Sequence, residues 1–111
     1  MSLVIVTTTL PSREAADGLA TQLVSEGLAA CVQVFGPIES TYRWEGALER
    51  SKEWYCIGKC TVERRDALMA RIKSLHPYET PEIVAVRADA VDPKYLEWVH
   101  AVSPSPETPP P

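Results

Sequence analysis

Glu45-Gly46 is a two-residue turn signal standing between two long strand-like runs, and no other feature limits so strongly what this chain can fold into. Upstream, Ala29 to Phe35 reads as a buried strand that is interrupted by Gly36-Pro37 and resumes as Ile38 to Trp44, with Ile38, Ser40, Tyr42 and Trp44 on one face. The proline is tolerable only at a sheet edge or a bulge. Downstream, Leu48 to Thr61 alternates Trp54, Cys56, Gly58 and Cys60 with Tyr55, Ile57 and Lys59. The spacing predicts a hairpin whose arms, at about 14 residues each and roughly 3.3 Å per residue, reach on the order of 45 Å. A domain of 111 residues has a radius of gyration of only about 13 Å, so part of the hairpin must overhang. An overhanging ribbon exposes unpaired backbone on both edges and needs another chain to pair with. Tyr42, Trp44, Trp54 and Tyr55 crowd the same arm, and aromatics of this kind are enriched at interfaces. Self-association with closed cyclic symmetry is the expectation.

The rest of the chain supplies the layer that packs on this hairpin. Leu3 to Thr9 is almost wholly β-branched and apolar, as in a central strand covered on both faces. Pro11 and Ser12 open a helix whose stripe Ala15/Ala16, Leu19/Ala20, Leu23/Val24 is closed by Gly27. From Glu63 the pattern is helical again, with Leu68, Ile72 and Leu75 on one side, until His76-Pro77 stops it. Ile83 to Val86 is a fourth strand, and Asp92-Pro93 is a cap-plus-first-turn pair opening a short helix that carries Tyr95, Trp98, Val99 and Val102. The order βαββαβ followed by a short C-terminal helix predicts an α+β, ferredoxin-like sandwich with an extended β2-β3 hairpin, in residues 1–102. Residues 103–111 hold five of the ten prolines and are expected to be a disordered tail.

Composition narrows the function classes. Eleven Lys and Arg against 15 Asp and Glu give a net charge of −4, with no basic stretch able to track a phosphate backbone, so nucleic acid is not an expected partner. Met1 to Leu10 has no basic region of a signal peptide, and no apolar run is long enough for a membrane span. Three cysteines, Cys31, Cys56 and Cys60, do not make an even disulfide framework and suit reduced thiols, so a cytoplasmic protein is expected. Cys56 and Cys60 share a strand face about 13 Å apart, too far to chelate one metal together. Cys31 lies in a predicted buried strand, where a thiol behaves as a small hydrophobe, which argues against an enzyme using it as nucleophile with His76 as base. Gly-rich phosphate loops, G-x-S-x-G and H-E-x-x-H are all absent from the sequence.

Four blocks in register carry a resemblance: Ala30-Cys31, Tyr42-x-Trp44-x-Gly46, His76-Pro77-Tyr78-Glu79-x-Pro81-Glu82 and Tyr95-Leu96-x-Trp98. Together they make the chain similar to the CutA divalent-cation tolerance family over residues 3–100. The resemblance implies a ferredoxin-like fold, a tight homotrimer held by the hairpin arms, similarity to PII signalling subunits, a role in the response to metal ions including copper, and no enzymatic activity. It also marks residues. His76, Glu79 and Glu82 become candidate ligands for copper, or less readily zinc, with further donors from a neighbouring subunit. Thr8, Tyr42, Trp44 and Tyr78 become candidate lining of inter-subunit clefts, able to hold a cation or a small anion. The sequence departs from some members of the family at Thr8 and Leu75, where they carry cysteine and histidine. The leading expectation is a trimeric binding module for a divalent cation or small ligand. The alternative is a PII-like trimer presenting a surface to a protein partner.

Overall fold

The computed structural model of the chain describes residues 2–104. Its elements are β1 (Leu3–Leu10), α1 (Arg13–Ser25), β2 (Cys31–Trp44), β3 (Ala47–Thr61), α2 (Arg65–Leu75), β4 (Ile83–Arg87) and α3 (Pro93–Val102). Local chemistry sets several of these boundaries. Ser12 caps α1 by accepting from the Ala15 amide at 3.1 Å. Gly27 ends the helix at φ 73°, and the Gly27 and Leu28 amides return to the Val24 and Leu23 carbonyls, satisfying two carbonyls that the helix end would otherwise orphan. Asp92 caps α3 through the Lys94 and Tyr95 amides. The second helix starts two residues later than its periodicity predicts: Val62–Arg64 forms a single 3-10 turn, and no side chain caps α2.

The four strands form one antiparallel sheet in the order β2-β3-β1-β4. This is the split βαβ arrangement expected from the sequence, with β1 in the interior and β2 and β4 at the edges. Val4, Val6, Leu10, Cys56 and Cys60 project from one face into a core completed by Ala16, Leu19 and Leu23 of α1 and Leu68 and Ile72 of α2. The other face is covered at one end only, where Val99 of α3 buries Leu3 and Ala30. Further along that face, Phe35, Val84 and Val86 remain 48%, 46% and 57% exposed. Among the described residues no helix is long and apolar enough to cross a membrane.

The hairpin is as long as the alternation predicts, 14 residues in β2 and 15 in β3, turning through Glu45 and Gly46, both at positive φ. Its register runs from Trp44↔Ala47 to Ile38↔Glu53, then shifts, so that Gly36 and Pro37 together face Trp54 before Phe35↔Tyr55 resumes. The Pro37 peptide bond is cis. Both conditions for tolerating Pro37 are therefore met: it lies on an edge strand and within a bulge. Gly36 is required by packing, because a Cβ there would sit 2.7 Å from Cδ1 of Trp54. Trp54 itself packs against the core below the bulge and does not belong to the overhang. Beyond the bulge every residue from Thr41 to Arg50 is exposed, and the molecule is drawn out to 49 Å along its longest axis against 26 and 21 Å across.

Where the sequence predicts a disordered tail to begin, the chain is still held down. Ser103 is fully buried and donates to the Gly27 carbonyl at 2.6 Å, and Arg64 donates to the Pro104 carbonyl at 2.7 Å. The remainder of that predicted tail, residues 105–111, lies outside the described residues.

Candidate functional site

The turn between α2 and β4 places its side chains against the end of β1 and the root of the hairpin. His76 leaves the helical conformation at φ −76°, ψ 136°, as a residue before proline must, and its ring swings under the sheet end. Nε2 lies 2.9 Å from the Thr9 carbonyl and 3.1 Å from Thr8 Oγ1, while Nδ1 accepts from the Tyr78 amide at 3.2 Å. A carbonyl can only accept and an amide can only donate, so the proton is on Nε2 and Nδ1 is bare: the network demands the neutral imidazole. Burial pushes the His76 pKa below the ordinary histidine range, against the opposing pull of the Thr9 carbonyl and the Glu53 charge.

Tyr78 continues the network. Its ring leans on His76 with centroids 4.9 Å apart, and its hydroxyl donates to Glu53 Oε2 at 2.8 Å. Burial, then the hydrogen bond to Glu53, then the charges of Glu53 and Tyr42 hold this phenol far above the usual tyrosine range, so it is a permanent donor. Glu53 is only 7% exposed, although it stands at the first register pair beyond the bulge. Tyr42, one strand over, bonds Ser51 Oγ at 3.2 Å through its own hydroxyl.

The structure thus gathers Thr8, His76 and Tyr78 from the expected set and adds Thr9 and Glu53, which sequence reasoning missed. For Glu53 there was one faint signal, a carboxylate alternating with Tyr55 and Ile57 on one strand face. Tyr42 stands close by, whereas Trp44 lies at the arm's tip, six residues beyond Ile38 and so about 20 Å further out. Thr8 is 1% exposed and its hydroxyl faces His76, which makes it a support for the site and not an open lining residue.

The expected metal ligands do not converge within one chain. Glu79 lines an open groove of about 390 Å³ with Met69, Ala70, Lys73, Thr80, Pro81 and Ile83, and Glu82 is exposed at the start of β4. Among the described residues no group of three or more His, Cys, Asp and Glu is placed to hold a metal ion. The thiols offer no substitute: burial pushes Cys56 and Cys60 up to about 11, and Cys31 Sγ lies 3.3 Å from the Tyr95 hydroxyl beneath α3. Cys31 is in register with Lys59 and through it with Ile5, three and four residues along β1 from Thr8 and Thr9, so roughly 10 Å of strand separates it from the His76 ring. No thiol–imidazole pair forms.

The sequence and the fold are similar to those of known proteins. The family described as CutA1 divalent ion tolerance protein matches residues 4–102. The divalent-cation tolerance protein CutA of Escherichia coli O139:H28 is 40% identical over 98 residues, covering 88% of each chain. The chloroplastic CutA 1 of Oryza sativa subsp. japonica is 40% identical over 96 residues, 86% of this chain but 54% of the rice protein, so this chain spans about half of that relative's length. The crystal structure of CutA1 from Oryza sativa superimposes with a TM-score of 0.90 at 36% identity, covering 97% of both chains. With nearly all of its described residues matched in sequence and in fold, this chain belongs to the CutA1 divalent ion tolerance family.

Proposed function

We propose that the chain is the subunit of a symmetric homotrimer of the divalent-cation tolerance type, which answers a cation or small polar ligand held in clefts between subunits at the root of the arm. One observation carries the reading: a sheet face bearing Phe35, Val84 and Val86 is bare beside an arm whose ten residues from Thr41 to Arg50 touch too little of their own chain to be covered. Contiguous apolar surface beside unpaired strand edges is stabilised by partners, and identical chains closing a ring use each edge once. Such closure would bring Trp44 at the arm's tip of one subunit toward a neighbour, and it is the route by which the distant Trp44 can join Tyr42 and Tyr78 in one cleft.

A metal ion in that cleft would draw its donors from more than one subunit, because the described residues of one chain bring together no group of three His, Cys, Asp or Glu. The groups present there are oxygens, from the Glu53, Glu79 and Glu82 carboxylates and the Tyr78 and Tyr42 hydroxyls. Copper favours imidazole and thiolate, but Cys56 and Cys60 are buried with their thiols pushed up to about 11 and Cys31 stands beneath α3 away from the His76 ring, so an oxygen-seeking divalent cation or a small polar molecule fits better than copper. A homologue name that speaks of divalent-cation tolerance supports the response to metal without requiring that His76 bind it. Light scattering at micromolar concentration tests the assembly: a mass three times the 12.3 kDa chain is expected, and a monomer mass would remove the clefts and the reading with them.

A further inference from the structure

Two concave patches mark the helical side of the molecule, and they differ in how they are built. The patch on α1 draws its lining from that helix and its C-terminal cap, and its acids Asp17 and Glu26 already have partners in Arg13 and Arg71. The groove of about 390 Å³ lies between separate elements. One wall is Met69, Ala70 and Lys73 of α2; the other is Glu79 and Pro81 of the turn with Ile83 at the head of β4. Lys73 and Glu79 line the same space from opposite walls, yet no ion pair joins them: the pairs among the described residues are Arg13–Asp17, Arg65–Asp66 and Arg71–Glu26. We infer that this groove is a binding site for a small zwitterion with an aliphatic body, an amino acid of the leucine type, whose carboxylate meets the Lys73 ammonium and whose ammonium meets the Glu79 carboxylate. The site is complete within one chain and goes beyond the reading of the inter-subunit clefts.

Each part of such a ligand has a counterpart. Met69 and Ile83 are half-buried and pack on the core, so the apolar lining is held in place before a ligand arrives. Pro81 stiffens the opposite wall, and Ala70 carries only a methyl that leaves the space between them open. At roughly 30 Å³ per water the groove holds about a dozen waters, far more than a bare ion replaces and within the range of small-molecule pockets. An aliphatic body laid over Met69, Pro81 and Ile83 takes that apolar surface out of water. The charges select for both ends at once. Lys73 offsets the pull of Glu79 on a lone cation, and Glu79 offsets the pull of Lys73 on a lone anion, whereas a molecule carrying both charges is attracted by both. His76 and Tyr78 take no part, because their side chains are spent on β1 and on Glu53.

The test is nuclear magnetic resonance on the full chain with labelled methionine methyl groups. The sequence has two methionines, and Met69 lines the groove, so its signal reports occupancy while that of Met1 is the reference. L-leucine titrated to millimolar concentration should move the Met69 methyl along a saturable curve. Isocaproate, which lacks the ammonium, and isoamylamine, which lacks the carboxylate, should each bind about tenfold or more weakly, since each forfeits a charged hydrogen bond. Lys73→Gln should leave leucine no better than isoamylamine, and Glu79→Gln should leave it no better than isocaproate. Both positions are exposed, so the variants keep the fold. A Met69 methyl that leucine does not move, equal affinity of the parent for leucine and either analogue, or a discrimination that survives in both variants would each overturn the site. Light scattering on the same samples keeps the two readings apart, because a monomer mass removes the inter-subunit clefts and leaves this groove to be decided by the methyl shifts.

Discussion

The Tyr78 hydroxyl donates to Glu53 Oε2 at 2.8 Å, which joins the turn after α2 to the root of the β2-β3 arm across 25 residues of sequence. A turn that would otherwise drape over the sheet end is thereby tied to the element that reaches furthest from the core. The arm's root and the turn should behave as one mechanical unit.

Removing either partner should therefore cost more than a surface substitution. Tyr78→Phe strands a carboxylate that is 7% exposed, and an unsatisfied buried acceptor costs about 1–3 kcal/mol. Glu53→Gln retains an acceptor and should cost less, about 1 kcal/mol. Urea denaturation at fixed protein concentration measures both, and the double variant should be non-additive because the two side chains share one bond. Strict additivity would show that they act independently.

Stability should fall as the solution is acidified, with His76 as one identifiable cause. Its folded-state pKa lies below its unfolded value, so the unfolded chain binds the proton first as pH drops. The contribution is complete above about 6.5 and is lost progressively as pH falls through the lower folded value. Denaturation midpoints measured across this window should slope downward toward acid in the parent and less steeply in His76→Asn. Equal slopes would assign the acid sensitivity to the carboxylates alone.

Gly36→Ala should be destabilising although alanine is the better strand residue. The added methyl would sit 2.7 Å from Trp54 Cδ1 and 3.0 Å from the Glu53 carbonyl, and overpacking of this kind costs about 1–3 kcal/mol. Thermal unfolding should show a drop of several degrees, on the order of 4–8 °C per kcal/mol for a domain near this size. An unchanged melting temperature would mean that the indole can move aside freely.

Thiol reactivity should separate the three cysteines. Cys56 and Cys60 are raised from 9.0 to about 11, so at neutral pH their thiolate fraction is about a hundredfold lower than in the unfolded chain, and both are also sterically enclosed. A thiol reagent added to native protein should modify Cys31 first and the other two only on unfolding. Fast modification of all three without denaturant would contradict the buried core described above.

A charge on the bare sheet face should break association without breaking the fold. Val86 is 57% exposed in the single chain, so Val86→Glu costs the isolated subunit little, within about 0.5 kcal/mol. At an interface the same carboxylate would be desolvated without a partner. Sedimentation or light scattering should show a lowered mass with a native circular dichroism spectrum. A mass equal to the parent's would place Val86 outside the contact.

Much of the fold was legible in the chain because it is written in near-neighbour terms. The alternation from Leu48 to Thr61, the Glu45-Gly46 turn, the Ser12 and Asp92 caps and the Gly27 terminus each depend on residues within a few positions, where period and capping chemistry operate directly. Even the bulge at Gly36-Pro37 was readable, since proline restricts its own position in a sheet. The expected ligand set of His76, Glu79 and Glu82 was readable only as proximity along the chain, and proximity does not say which way three side chains point.

What the sequence determined by itself was the set of elements, their order and the length of the arm, because backbone propensity and hydrophobic period are local. Tertiary structure alone decided that Glu53 meets Tyr78, that His76 spends both nitrogens on β1 and its own turn, and that Ser103 docks on Gly27. Those contacts join residues 25, 67, 68 and 76 positions apart, as well as one turn, and each depends on where separate elements end once the core has packed. A hydrogen bond is selective over tenths of an ångström, and no periodicity in the chain carries information that fine.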